Sequence, residues 1–375
     1  MSSKTRLQAV RRQLGYSADG VIEMLLRRAE RLGVSVMQPA SLKTKLSRWE
    51  NGHESVSEPY RRLFREVYGR TDEEMGFPSE PDDEDLAELR NRIAVARRVD
   101  PEMVEVFRQQ VDHARQIDRR FGGVTMLDQL RSNIDHVGSL LGYSTLTGHR
   151  ETLAGVLTEA STLAGWEALD RSAHGQAWEH YERAKTAARE ALSAPLVAHA
   201  TAEQAFVLID IGETGAAAEQ LAAARELAAE AAPPLLRAWL AAAHGEGLSA
   251  LGHRDEALRA FDEADQLLPA EATDPALPFL FLAGAHLDRW RGNALSKLGE
   301  PEAIDQLTDA LPRLPEAFTR ARTGILVDLA YAHAAAGDRD AALEHSRQAR
   351  RLASQIKSDR QLRRLSGLIL PGGST

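Results

Sequence analysis

The chain has 375 residues, no cysteine, and 43% hydrophobic residues of which few are aromatic. This excludes disulfides, thiolate metal sites and a cysteine nucleophile, and it makes Ala and Leu, both strong helix formers, the main core material. The net charge of −9 conceals an asymmetry: residues 1–70 carry 14 Lys/Arg against 7 Asp/Glu, and the remainder 32 against 48. A basic head on an acidic body suits local attraction to phosphate and disfavours loose polyanion binding elsewhere.

Hydrophobic spacing predicts four helices in a first domain, 1–76. Lys4–Leu14 places Leu7, Val10 and Leu14 on one face, and the second helix follows Ser17, a natural N-cap. A third runs from Ser41 to Asn51, closed by Gly52, and a fourth from Ser57 to Tyr68. The prolines and acids of 77–85 read as a linker. Residues 86–148 read as three more polar helices, a connector or dimerisation segment, broken at Asp100-Pro101 and Gly122-Gly123.

From 149 to 358 an internal repeat emerges. Ala-x3-bulky-x2-Ala recurs at Ala177/Tyr181/Ala184, Ala217/Leu221/Ala224, Ala257/Phe261/Ala264 and Ala303/Leu307/Ala310, with a degenerate copy at Ala342/Ser346/Ala349. Each copy follows another helix with a small residue at its middle: Gly165, Ala205, Gly245, Gly292 and Ala330. Small residues let two helices approach, and the bulky residue fills the adjoining gap; each pair then leaves an apolar face for the next to cover. Residues 359–375 read as a terminal helix and disordered tail. The expected fold class is all-α, a helix-turn-helix domain followed by an α-solenoid.

The stretch from Leu42 to Gly52 is the most informative. Leu42, Leu46 and Trp49 form one inward stripe, which leaves Lys43, Thr44, Lys45, Ser47 and Arg48 on the other side. A helix of this length fits a major groove, where Lys or Arg donates to guanine, and its N-terminal amides suit phosphate. Ser47-Arg48-Trp49-Glu50-Asn51-Gly52 resembles the end of the recognition helix in XRE (Cro/C1-type) regulators. The resemblance implies DNA-binding roles for Lys43, Thr44, Lys45, Ser47 and Arg48 and a structural one for Trp49. Two features depart from that pattern: a longer turn after the second helix, and Ala18-Asp19-Gly20 at that helix's start.

The repeats resemble tetratricopeptide repeats, most clearly at Gly245, Gly252, Ala257, Phe261, Ala264 and Pro269. As a whole the chain is similar to actinobacterial-type XRE regulators with C-terminal repeats of this kind. In such arrays the first helix of each pair lines a concave wall. That phasing implies groove positions at Trp166, Phe206, Glu246, Asn293 and Tyr331, with Trp239, His286 and Arg289 on neighbouring turns; the competing reading is that the aromatics only pack between repeats. Asn293 is the only asparagine after residue 150, which argues against a peptide sensor that grips backbone through asparagines.

Gly245-Glu246-Gly247 lies within a repeat helix with no preceding strand, so it is not a dinucleotide loop. Neither a metal-ligand spacing nor a nucleophile–base constellation is visible. The expectation is a cytoplasmic regulator without cofactor, metal or enzymatic activity: a homodimer on a double-stranded operator, off the membrane, with a small-molecule, peptide or protein effector at the repeats. The alternative is a protein-interaction scaffold that does not touch DNA.

Overall fold

The computed structural model describes residues 5–77, 83–123, 126–229, 231–270, 274, 276–282 and 284–372. Among them the chain is all-α, with nineteen helices and no strand. None of these helices is long and apolar enough to cross a membrane. The chain divides into two compact units, Met1–Asn91 and Arg92–Thr375.

The first unit contains α1 (Arg6–Gln13), α2 (Ala18–Leu32), α3 (Pro39–Glu50), α4 (Glu58–Tyr68) and α5 (Asp72–Met75), and α6 (Asp83–Ala96) begins within its range. Ser17 caps α2 as expected, its hydroxyl accepting from the Gly20 amide at 3.0 Å. Helix α3 starts two residues before its expected position because Pro39 suits a first helical turn, where no amide partner is needed. Leu7, Val21, Leu25, Leu42, Leu46, Leu63 and Phe64 are almost fully buried in one core. The Trp49 ring joins them, 4.9 Å from Tyr60 and 6.0 Å from Phe64. The long turn between α2 and α3 is fastened to this core: Val34 and Val36 pack on it, and the Met37 amide donates to Tyr60 Oη at 2.8 Å. Of the expected acidic linker, residues 78–82 lie outside the described residues, and α6 already begins at Asp83.

The second unit is a helical-repeat solenoid. It opens with α7 (Pro101–Phe121) and α8 (Leu127–Tyr143), followed by five pairs: α9 (Thr147–Asp170) with α10 (His174–Glu190), α11 (Ala194–Ile211) with α12 (Thr214–Ala228), α13 (Pro234–Ala250) with α14 (Arg254–Leu267), α15 (Ala285–Leu298) with α16 (Glu302–Arg313), and α17 (Thr319–Ala335) with α18 (Arg339–Gln355). The repeat logic holds at atomic level. A Cβ at Gly165 would sit 2.8 Å from the Tyr181 ring, one at Gly245 2.8 Å from Phe261, and one at Gly292 2.5 Å from Leu307. Gly247, inside the same helix as Gly245, meets Leu221 in the same way, so both glycines serve packing. Gly212 and Gly252 turn the chain between paired helices at φ of 88° and 80°, where a side chain would be strained.

Two features differ from the sequence reading. Helices α7 and α8 share a core with α9 through Val104, Phe107, Val111, Leu130, Ile134, Leu153 and Leu157. From Arg92 onward, the stretch read as a connector is therefore part of the repeat unit. The array also closes on itself. Helix α17 packs on α7, and a final helix, α19 (Asp359–Ser366), packs on α9, α17 and α18.

Candidate functional site

The closed array holds a partly open cavity of about 410 Å³ in the second unit, within the size range of small-molecule sites. Seven of the eight groove residues expected from sequence line it: Trp166, Phe206, Trp239, Glu246, His286, Arg289 and Asn293. Tyr331 does not. It turns toward α19, where its hydroxyl donates to the Arg364 carbonyl at 2.5 Å, because α19 occupies the space an open groove would leave.

The aromatic wall is contiguous. Trp290 lies 5.9 Å from Phe206 and 5.7 Å from Trp239, both edge-on, and His199 lies 4.9 Å from Trp239 and 4.4 Å from Phe279. Phe279 comes from the long connection after α14, in the stretch Leu277 to Leu282, where Leu280 and Leu282 are buried and Phe279 and Phe281 turn to the cavity. The expected phasing missed these two residues. Their signal was an alternating apolar run inside a connection, at the one repeat interval of 46 rather than about 40 residues.

The opposite wall is charged. Arg320 on α17 donates to Asp118 on α7 and forms an ion pair, at 2.8 Å, with Asp170 on α9, while Ser358 donates to the other Asp170 oxygen at 2.6 Å. Arg360 grips Asp210 with two bonds of 2.6 Å, and its guanidinium stands 5.8 Å from the centre of the Trp166 ring. Asn293 and Arg364 both donate to Asp328, at 2.8 and 2.6 Å, and Lys297 pairs with Glu246 at 2.7 Å.

Burial sets the protonation states. It pushes Asp118 up to about 6 and Glu203 up to about 7, because a carboxylate away from water favours its neutral form. His286 is driven down to about 3, first by burial and then by Arg289 and Arg119; His199 falls to about 3 through burial and Arg115. Both imidazoles are neutral at pH 7 and serve as polar ring surface. Just behind this wall, Glu167 is buried with both oxygens unpartnered, and burial raises it to about 8.

In the first unit, α3 has the expected two faces. Leu42, Leu46 and Trp49 point inward, while Lys43, Thr44, Ser47 and Arg48 are exposed and Lys45 is half-buried. Each cation carries an acid. Lys43 pairs with Asp19 at 2.7 Å, Lys45 with Glu54, and Arg48 approaches Glu54 at 3.4 Å. Thr44 bonds back to the Ala40 carbonyl at 3.4 Å, and Asn51 donates to the Ser47 carbonyl at 2.7 Å. No side chain caps the N-terminus of α3, and residues 38–41 are exposed. The far end is anchored by a contact that sequence reading missed: buried Glu50 accepts from Arg11 of α1, at 2.8 Å for its second oxygen.

No family model matches the chain, and no curated protein matches it. Among solved structures, the chain is similar to the BtubC (BKLC) protein of P. vanneervenii (15% identity, TM-score 0.42, 67% of this chain and 95% of that one). It is also similar to a Rap protein complexed with Competence and Sporulation Factor (15%, TM-score 0.46, 70% and 80%) and to kinesin light chain TPR-like repeats from P. anserina (16%, TM-score 0.35, 53% and 95%). Likenesses at this level extend no further than helical repeats.

Proposed function

We propose that the chain is a DNA-binding transcriptional regulator whose repeat unit holds an effector in its cavity. The two-sided build of α3 supports this above all: a greasy stripe locked into a small core, with Lys43, Thr44, Ser47 and Arg48 on the open side and an uncapped N-terminus. Such a helix suits a major groove, its cations and free amides meeting phosphates and base edges. The surface pairs with Asp19 and Glu54 are no obstacle, since exposed ion pairs of this kind contribute little and phosphate can replace the acid. One such head reads few bases, so two copies on a two-fold operator are part of the proposal.

For the cavity we propose binding rather than catalysis. Its two histidines are held neutral and most of its carboxylates are tied to cations.

The test is electrophoretic retardation of the DNA upstream of its own coding sequence by the full chain. Wild-type protein should retard this DNA, more weakly as salt rises, and K43A/R48A should lose retardation while keeping its helical spectrum. A second reading, a protein-interaction scaffold, is favoured by one observation: Lys43, Lys45 and Arg48 all find acidic partners within the chain. Absence of retardation by wild-type protein would select it.

A further inference from the structure

If the cavity is a ligand site, as proposed above, its charge balance indicates what the ligand carries. Most lining cations are matched: Arg115 with Glu159, Arg320 with Asp118 and Asp170, Arg360 with Asp210, Arg364 with Asp328, Lys297 with Glu246. Two are not. Among the described residues, neither Arg119 nor Arg289 forms a salt bridge; Asp118 and Asp112 act on the first, and Glu246 and Asp328 on the second, only from farther away.

Arg119 lies with its guanidinium 3.6 Å from the centre of the Phe281 ring and 5.7 Å from that of Phe318, and it donates only a long bond of 3.4 Å to the Pro278 carbonyl. Arg289 is half-buried; among the described residues its Nε is shut off from water with no hydrogen-bond partner, and its guanidinium stands 5.9 Å from the centre of the Trp290 ring. Both arginines lie near His286. His286 stands one turn before Arg289 on α15, stacks edge-on against Phe318 at 4.8 Å, and feels the charge of both. The lining acid without a salt-bridged Lys or Arg, Glu203, is discharged in part by burial and accepts from Tyr181 at 3.4 Å. Thus the cavity holds two half-buried cations outside its salt bridges, beside a continuous wall of Phe206, Trp290, Trp239 and Phe279. A buried unmatched charge is costly, and a ligand anion removes that cost while planar rings fill the rest.

We infer that the cavity takes a small aromatic carboxylate, its carboxylate held by Arg119 and Arg289 near His286 and its ring system against Trp239 and Trp290. A guanidinium holds a carboxylate through two parallel bonds, which a neutral amide of the same shape cannot reproduce.

The test titrates the full chain with 2-naphthoate and with 2-naphthamide, which has the same ring and no charge, following tryptophan fluorescence and calorimetry. Wild-type protein should prefer the acid by roughly 10- to 100-fold. Because the cations are half-buried, that preference should fall less with raised salt than that of an exposed pair. R289M and, separately, R119M should bring the acid close to the amide. Should one variant fail to fold, the wild-type preference and the other variant decide. Equal binding of both probes to wild-type protein would overturn the carboxylate assignment and leave the cavity as a ligand site. Binding of neither would remove the ligand reading itself, and this inference with it.

Discussion

The face of α3 and the wall of the repeat cavity use the same side chains in opposite ways. On α3, Lys43 and Arg48 meet Asp19 and Glu54 in water, where a pair is worth little and its members are free to exchange partners. In the cavity, Arg320 meets Asp118 and Asp170 where all three are at most 10% exposed. There the partners cannot be traded, because removing either leaves a stranded charge. Exposed pairs therefore suit a surface that must open to a passing phosphate; buried pairs fix the frame, and only the cations left out of them remain for a ligand.

The contrast predicts a ladder of effects on folding. Arg320→Ala should be the most damaging, destabilising the repeat unit by about 3–5 kcal/mol in urea unfolding because it strands Asp118 and Asp170. An unchanged midpoint would mean that the frame does not depend on these pairs. Trp49→Ala should cost the first unit a comparable ~3–5 kcal/mol, through an emptied core site rather than a lost charge.

Glu167→Gln should act through pH. The folded acid titrates near 8 and the unfolded one near 4.5, so between those values the folded chain holds a proton that the unfolded chain has lost. Raising pH through that window removes stability from the wild-type protein and not from the variant. The variant's melting temperature should thus gain on wild type from pH 4.5 to pH 8 and level off above. The difference would be on the order of a few kcal/mol, with Asp118, Arg320, Arg171 and Asp170 as the charged neighbours. A gap independent of pH would show that Glu167 is ionised in its pocket. Smallest of all on stability, K43A/R48A should leave thermal melting where it was, since it breaks only exposed pairs. A large shift would move α3's outer face into the frame category.

Much of this was legible in the sequence because it is local. The Gly165–Tyr181, Gly245–Phe261 and Gly292–Leu307 contacts follow from spacings within one helix pair, as do the caps at Ser17 and the inward stripe of α3. Four cavity residues, Trp166, Phe206, Glu246 and Asn293, likewise follow from repeat phase, and Trp239, His286 and Arg289 from the turns beside them. What periodicity cannot convey is closure. Arg320 lies 202 residues from Asp118, and Ser358 lies 188 from Asp170. Nothing in a 40-residue period says that the final helices return to the opening ones, and this is why Tyr331, correctly phased for an open groove, ends up against α19. Phe279 and Phe281 escaped for a related reason: they sit in a connection, where helical period has no meaning.

The Arg320–Asp118–Asp170–Ser358 junction also governs how the molecule comes apart. A linear stack of repeats loses its terminal members first, each needing only one neighbour to let go. Here α17 holds α7 and the start of α19 holds α9, so neither tip of the stack behaves as a free end. Amide hydrogen exchange in α7 and α17 should slow together to the rate of the middle pairs. Breaking the junction would turn a clasped bracelet back into a loose string, fraying from both tips.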